Sequence, residues 1–157
     1  MVPIFIRSLL FNIGFYLSLI LHMIVALPAF LLPRQVLFEL AKSWARSMNW
    51  MLRVICNIHV EYRGIENIPE GPLLIAAKHQ SAWETIGLQQ IFPPAVFVMK
   101  RSLLLIPFLG WGLASAQMIS INRSASKDAL KQVARQGKER LDNGMSVVIF
   151  PEGTRTP

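Results

Sequence analysis

His79 and Glu84 lie five positions apart in the stretch KHQSAWET, residues 78–85. An imidazole and a carboxylate so placed can work as a pair. The carboxylate accepts a hydrogen bond from one ring nitrogen, which fixes the tautomer and leaves the other nitrogen as a base. The same stretch reads as a capping box, with Ser81 as N-cap and Glu84 reaching back to it. The two roles are compatible, because a helix starting at Ser81 keeps Glu84 in its first turn, close to the chain that carries His79. The spacing is not that of a helical metal site, which sets two histidines four apart. The other histidines are weaker candidates: His22 lies in a long apolar segment, and His59 falls on the polar side of an alternating one.

A second cluster is FPEGTRT, residues 150–156. Pro151 stiffens the exit from an apolar run, and Gly153 permits positive φ and can turn its N–H toward an anion. Arg155 offers a planar fork for phosphate. A simple turn needs Pro and Gly but not Glu152 and Arg155 beside them. Lys100-Arg101 and Asn122-Arg123 each follow a further apolar run. One histidine, two carboxylates and several cations together suit general-base chemistry on a phosphorylated substrate.

Such groups act together only if the elements bring them to one place. Ile58, Val60 and Tyr62 alternate with polar residues and predict a half-exposed strand. Further strands are expected at 73–77, 95–99, 118–122 and 146–150. Helices are expected over 81–91 and 126–143, the latter stopped by Gly144, and 102–116 is mostly helix or loop, broken at Pro107 and Gly110. Alternating strands and helices predict an α/β fold with a mostly parallel sheet flanked by helices. Ligands of such sheets bind at the carboxyl ends of strands, where all four clusters fall.

The first third is different. Ile4 to Leu32 carries one fixed charge, Arg7. That length of apolar chain can span or embed in a bilayer, and it is about twice the 7–15-residue core of a secretory signal. A membrane helix is expected from about Ser8 to Leu32, bent or ended by Pro28. An amphipathic helix is expected from Gln35 to Asn57, with Leu37, Leu40, Trp44, Met48, Met51 and Ile55 opposite Lys42, Arg46, Asn49 and Arg53. That pattern suits a helix lying on anionic headgroups, or one packed on its own domain. The expected organisation is a membrane-anchoring region, residues 1–57, and a second domain, residues 58–157.

Composition agrees. The chain of 157 residues is 53% hydrophobic and 16% charged, with a mean hydropathy of +0.42. Lys plus Arg outnumber Asp plus Glu by 16 to 9, a net +7. No Lys/Arg-rich block with interleaved aromatics is present, so anionic lipid or a phosphorylated substrate is favoured over nucleic acid. The single cysteine, Cys56, excludes a disulfide framework within the chain and fits a reducing compartment.

These motifs resemble those of the membrane glycerolipid acyltransferases, most nearly the bacterial 1-acyl-sn-glycerol-3-phosphate acyltransferases. Lys78-His79-Gln-Ser-Ala-Trp-Glu84 matches the family's first motif, with Glu84 where aspartate is usual. Lys100 through Pro107 and Gly110 to Ile119-Ser-Ile-Asn122-Arg123 is similar to the second; Asn122 replaces the commoner Asp, and the usual glycine near Ala116 is absent. Phe150 to Arg155 matches the third throughout. The resemblance implies that His79 removes the proton of the sn-2 hydroxyl of lysophosphatidate, oriented by Glu84. Arg123, Arg155 and Lys100 would hold the phosphate, and Glu152, Gly153 and Thr154 would shape the acceptor site. The acyl donor would be acyl-CoA or acyl-carrier protein, with no further cofactor and no metal. The product would be phosphatidate, made at the cytoplasmic side of the inner membrane. Family members continue to a fourth motif beyond Pro157, so the sequence reads as truncated at its C-terminal end. Transfer to another lyso-lipid, such as lyso-ornithine lipid, and an inactive membrane-bound fragment are the alternative readings.

Overall fold

The computed structural model describes residues 3–28, 32–92, 94–122 and 126–154. The chain divides into two compact units, Met1–Ile68 and Pro69–Pro157.

The first unit is a helical hairpin. Helix α1 spans Ile4–Ala26; it starts before Ser8 because nothing in IFIR breaks a helix. It is long and apolar enough to cross a membrane. Helix α2 spans Arg34–Met51 and runs on into a wide π-type turn, Leu52–Cys56, ended by Asn57 in the left-handed region. Of the two readings of α2, packing within the unit is observed. Trp44 meets Phe15 with ring centroids 5.5 Å apart and donates to Ser18 Oγ at 3.2 Å. A Cβ on Gly14 would come within 2.9 Å of Met51 Sδ, so the hairpin closes tightly there. Arg34, Arg46 and Arg53 remain exposed on the other side.

The strand expected at 58–62 does not form; these residues are irregular. Alternation is a side-chain pattern, and a strand also needs a neighbour to take its backbone hydrogen bonds. Tyr62 Oη instead accepts from Asn49 Nδ2 at 3.1 Å. That bond ties the segment to α2, within the unit that runs to Ile68.

The second unit is the α/β part. Strands β1 (Leu74–Ala76), β2 (Ala95–Lys100), β3 (Ile119–Ile121) and β4 (Ser146–Ile149) form one sheet in the order β1-β4-β2-β3. All three pairings are parallel. Helix α3 (Trp83–Ile91) links β1 to β2, helix α4 (Leu109–Ser115) lies between β2 and β3, and helix α5 (Ser126–Asp142) leads back to β4. α5 ends as expected: Gly144 has φ +76°, and Met145 N–H caps Arg140 C=O at 2.9 Å.

Central strands of a parallel sheet are covered on both faces and are apolar on both. On one face Ala95, Phe97 and Val148 pack with Leu88 and Phe92 of α3 and its C-terminal end. On the other, Gly137 of α5 sits over Val147, 3.9 Å from its Cγ1 to an added Cβ. Gln89 reaches the start of β2, donating to Ala95 C=O at 2.9 Å. Gln132 donates to Ser120 C=O at 3.1 Å and Arg140 to Gln117 C=O at 3.0 Å, fixing α5 to β3 and to the turn before it.

Candidate active site at the carboxyl edge of the sheet

Because β4 lies between β1 and β2, the segments leaving these three strands are neighbours. Ala76 pairs with Ile149, and Ala77 N–H donates to Ile149 C=O at 3.0 Å. His79 and Glu152 each lie three residues beyond that pair. Lys100 closes β2 three residues beyond the Phe97–Val148 pair, level with Pro151. Its partner on β3 is Ile121, just before Asn122.

His79 is held by its ring. The imidazole lies on Phe150, centroids 4.2 Å apart and planes 23° apart, and Phe150 in turn lies near-parallel to Phe97 at 6.3 Å. The stack continues the buried face of the sheet to its edge, where His79 keeps 16% of its side-chain surface exposed. Nδ1 lies 3.4 Å from Glu84 Oε2. That is within reach of electrostatic attraction, but the alignment is not that of a hydrogen bond, and Nδ1 is buried without one. Nε2 has no hydrogen-bond partner among the described residues.

Glu84 has other partners. Ser81 N–H donates to both of its carboxylate oxygens at 2.9 Å, Ser81 Oγ donates at 3.1 Å, and Gln80 N–H at 3.3 Å. Trp83 N–H donates to Ser81 Oγ at 3.0 Å. The reciprocal bonds are those of the capping arrangement, with helical geometry beginning at Trp83. Partial burial raises the Glu84 carboxyl, but the N–H groups of Ser81, Glu84 itself and Gln80, with the Ser81 hydroxyl, outweigh it and hold the group below its ordinary range. The result is a fixed negative charge beside an imidazole whose Nε2 makes no hydrogen bond among the described residues.

The segment after β4 turns sharply. Gly153 has φ +65°, and its N–H donates to Phe150 C=O at 2.9 Å. That N–H closes the turn after β4. Glu152 and Thr154 are exposed at the same edge, as are Lys100 and Arg101. Arg123 and Arg155 lie outside the described residues. His22 is distant in sequence and local in bonding, its Nδ1 2.8 Å from Ser18 C=O within α1; His59 is exposed in the irregular segment. The role of Phe150 as a shelf is missing from the sequence reading. Its signal is an aromatic residue ending a strand next to the one that leads to the histidine.

An imidazole with an unpartnered nitrogen, backed by an ionised carboxylate, can accept a proton from a hydroxyl, and an exposed lysine at the same sheet edge can attract an anionic acceptor. A family model described as Acyltransferase matches residues 59–157. The 1-acyl-sn-glycerol-3-phosphate acyltransferase of Pseudomonas aeruginosa is 53% identical over 116 residues, covering 74% of this chain and 45% of that protein. The Saccharomyces cerevisiae enzyme of the same name is 32% identical over 113 residues, covering 71% and 37%. The chain thus spans less than half the length of these relatives. The crystal structure of the 1-acyl-sn-glycerophosphate acyltransferase PlsC from Thermotoga maritima superposes with a TM-score of 0.77 at 25% identity, over 99% of this chain and 64% of that one. With the sheet, the histidine edge and the family match in agreement, the chain belongs to the acyltransferase family.

Proposed function

We propose that the chain carries the proton-transfer half of a 1-acylglycerol-3-phosphate O-acyltransferase, which moves an acyl group from acyl-CoA or acyl-carrier protein to the sn-2 hydroxyl of lysophosphatidate. The observation that carries this reading is His79 at the carboxyl edge, flat on Phe150, with Nδ1 3.4 Å from Glu84 and Nε2 unpartnered among the described residues. Nε2 takes the hydroxyl proton as the oxygen attacks the thioester carbonyl carbon. The tetrahedral intermediate collapses, the C–S bond breaks, and the imidazolium returns the proton to the departing sulfur. The depressed Glu84 carboxyl stays ionised and favours the imidazolium that forms between these steps. No serine or cysteine nucleophile and no cofactor are needed. Lys100, Arg123 and Arg155 hold the acceptor phosphate, and Glu152, Gly153 and Thr154 border the glycerol.

Helix α1, with Arg7 before its core and Arg34, Lys42, Arg46 and Arg53 after it, fits a membrane anchor that keeps the rest of the chain on the cytoplasmic side of the inner membrane. His79→Ala should lower transfer from acyl-CoA to lysophosphatidate by about 10²–10⁴-fold and leave membrane attachment unchanged. Near-normal turnover of a membrane-bound H79A protein overturns the assignment.

A further inference from the structure

The segment after β2 displays a set of apolar side chains that the acyl-transfer chemistry does not use. Leu105 is 83% exposed, Trp111 56% and Phe108 46%, with Ile106 also exposed. They are held out by a braced backbone. Arg101–Leu105 is a 3₁₀ helix, and Gly110 is pressed so close to it that a Cβ would lie 2.1 Å from Leu104 C=O. Gly110 N–H donates to Ile106 C=O at 2.8 Å and Gly112 N–H to Phe108 C=O at 3.0 Å. Between them Leu109 N–H donates to Pro107 C=O at 2.7 Å across Phe108, which has φ +62° and ψ −54°. That is a γ-turn of the rare, strained hand. Strain of this kind persists where the surroundings enforce it, and here its effect is to aim Phe108 outward, edge-on to Trp111 at 5.1 Å.

The chemistry of the surroundings selects the occupant. Arg101, exposed, opens the same 3₁₀ helix that ends at Leu105, and the sequence has no acidic residue between Glu84 and Asp128. Aliphatic and aromatic side chains beside cations, with tryptophan among them, match the boundary between acyl chains and anionic headgroups. Exposed patches of this kind mark interaction sites, and α1 of the same chain is long and apolar enough to enter a bilayer. We infer that Leu105, Phe108 and Trp111 dip into the headgroup boundary of an anionic bilayer, with Arg101 on lipid phosphate, and form a second lipid contact independent of α1. The patch is fastened to β2, whose last residue, Lys100, stands at the edge that carries His79. Docking through it turns that edge toward the layer in which a lysolipid acceptor resides.

The test places an environment-sensitive fluorophore at Leu105→Cys, in the Cys56→Ser background, with the protein reconstituted in vesicles. In equimolar phosphatidylglycerol and phosphatidylcholine, the emission should shift to the blue and be quenched by lipids with a nitroxide near the headgroup. Adding Arg101→Glu should weaken local docking roughly fivefold or more, and pure phosphatidylcholine should weaken it similarly. A label that emits as in water and is quenched by iodide overturns the proposal. So does a label shielded from both iodide and lipid nitroxides, which would mean cover by a second copy or another part of the protein. The readout is position rather than turnover, so it stands or falls separately from the acyl-transfer reading.

Discussion

The imidazole of His79 rests on the phenyl ring of Phe150, with centroids 4.2 Å apart and an angle of 23° between the planes. His79 follows β1 and Phe150 follows β4, so the imidazole is oriented by the strand beside its own. Phe150→Leu keeps an apolar contact but removes the flat shelf. Loss of the ring pair costs about 0.5–1.5 kcal/mol, a modest change in stability. The kcat for lysophosphatidate should fall about tenfold while its KM stays nearly constant, and steady-state kinetics over acceptor concentration separate the two.

Glu84 joins the cap of α3 to the imidazole of His79, and its pH dependence follows. Its carboxyl is depressed in the folded protein, so the stability it contributes is fully present above its ordinary range and is lost as pH falls through the depressed folded value. Glu84→Gln should lower stability at neutral pH by about 0.3–1 kcal/mol, because glutamine can keep the cap but loses the negative charge at the helix N-terminus. Thermal melts of the wild-type protein should show an acid-side decline in that window, and the variant should flatten it. Turnover should fall about 10²-fold or more, because the imidazolium loses its counter-charge.

Lys100 ends β2 level with Pro151 and is exposed. Lys100→Ala should raise KM for the phosphate-bearing acceptor about 10–100-fold, the range for losing a hydrogen bond to a charged group. Its effect on KM for the acyl donor should be small. Initial rates with each substrate varied in turn decide between a phosphate contact and a solvated lysine.

Gly110→Ala places a methyl group 2.1 Å from the Leu104 carbonyl oxygen, a backbone atom that cannot step aside. Overpacking of this kind costs about 1–3 kcal/mol. Thermal unfolding of the detergent-solubilised variant should show it, whereas Gly112→Ala, with open space at its Cβ, should melt within about 1 kcal/mol of wild type.

Much of this was legible before any coordinates. Apolar runs ended by Gly, Pro and charged residues located β1 to β4, because central parallel strands must be apolar on both faces. His79 and Glu84 could be paired because the capping pattern at Ser81 constrains where both lie. The segment at 58–62 misled, since its alternation resembles that of a strand while the hydrogen bonds that decide the matter involve other parts of the chain. The interior partner of α2 was ambiguous for a related reason: an apolar stripe shows that something covers it but not what. The strand order, the stack of His79 on Phe150 and the outward turn at Phe108 are products of tertiary arrangement, and no local pattern encodes them.

The position of β4 also bears on how the protein is made. It follows the other three strands in sequence yet occupies a slot between β1 and β2, so among the described residues β1 meets its mate only after residues 146–149 leave the ribosome. The ring that supports the histidine arrives with that same strand. Until β4 inserts, His79 therefore lacks the ring it rests on, and the late arrival of this central strand makes the site's geometry one of the last parts of the sheet to form.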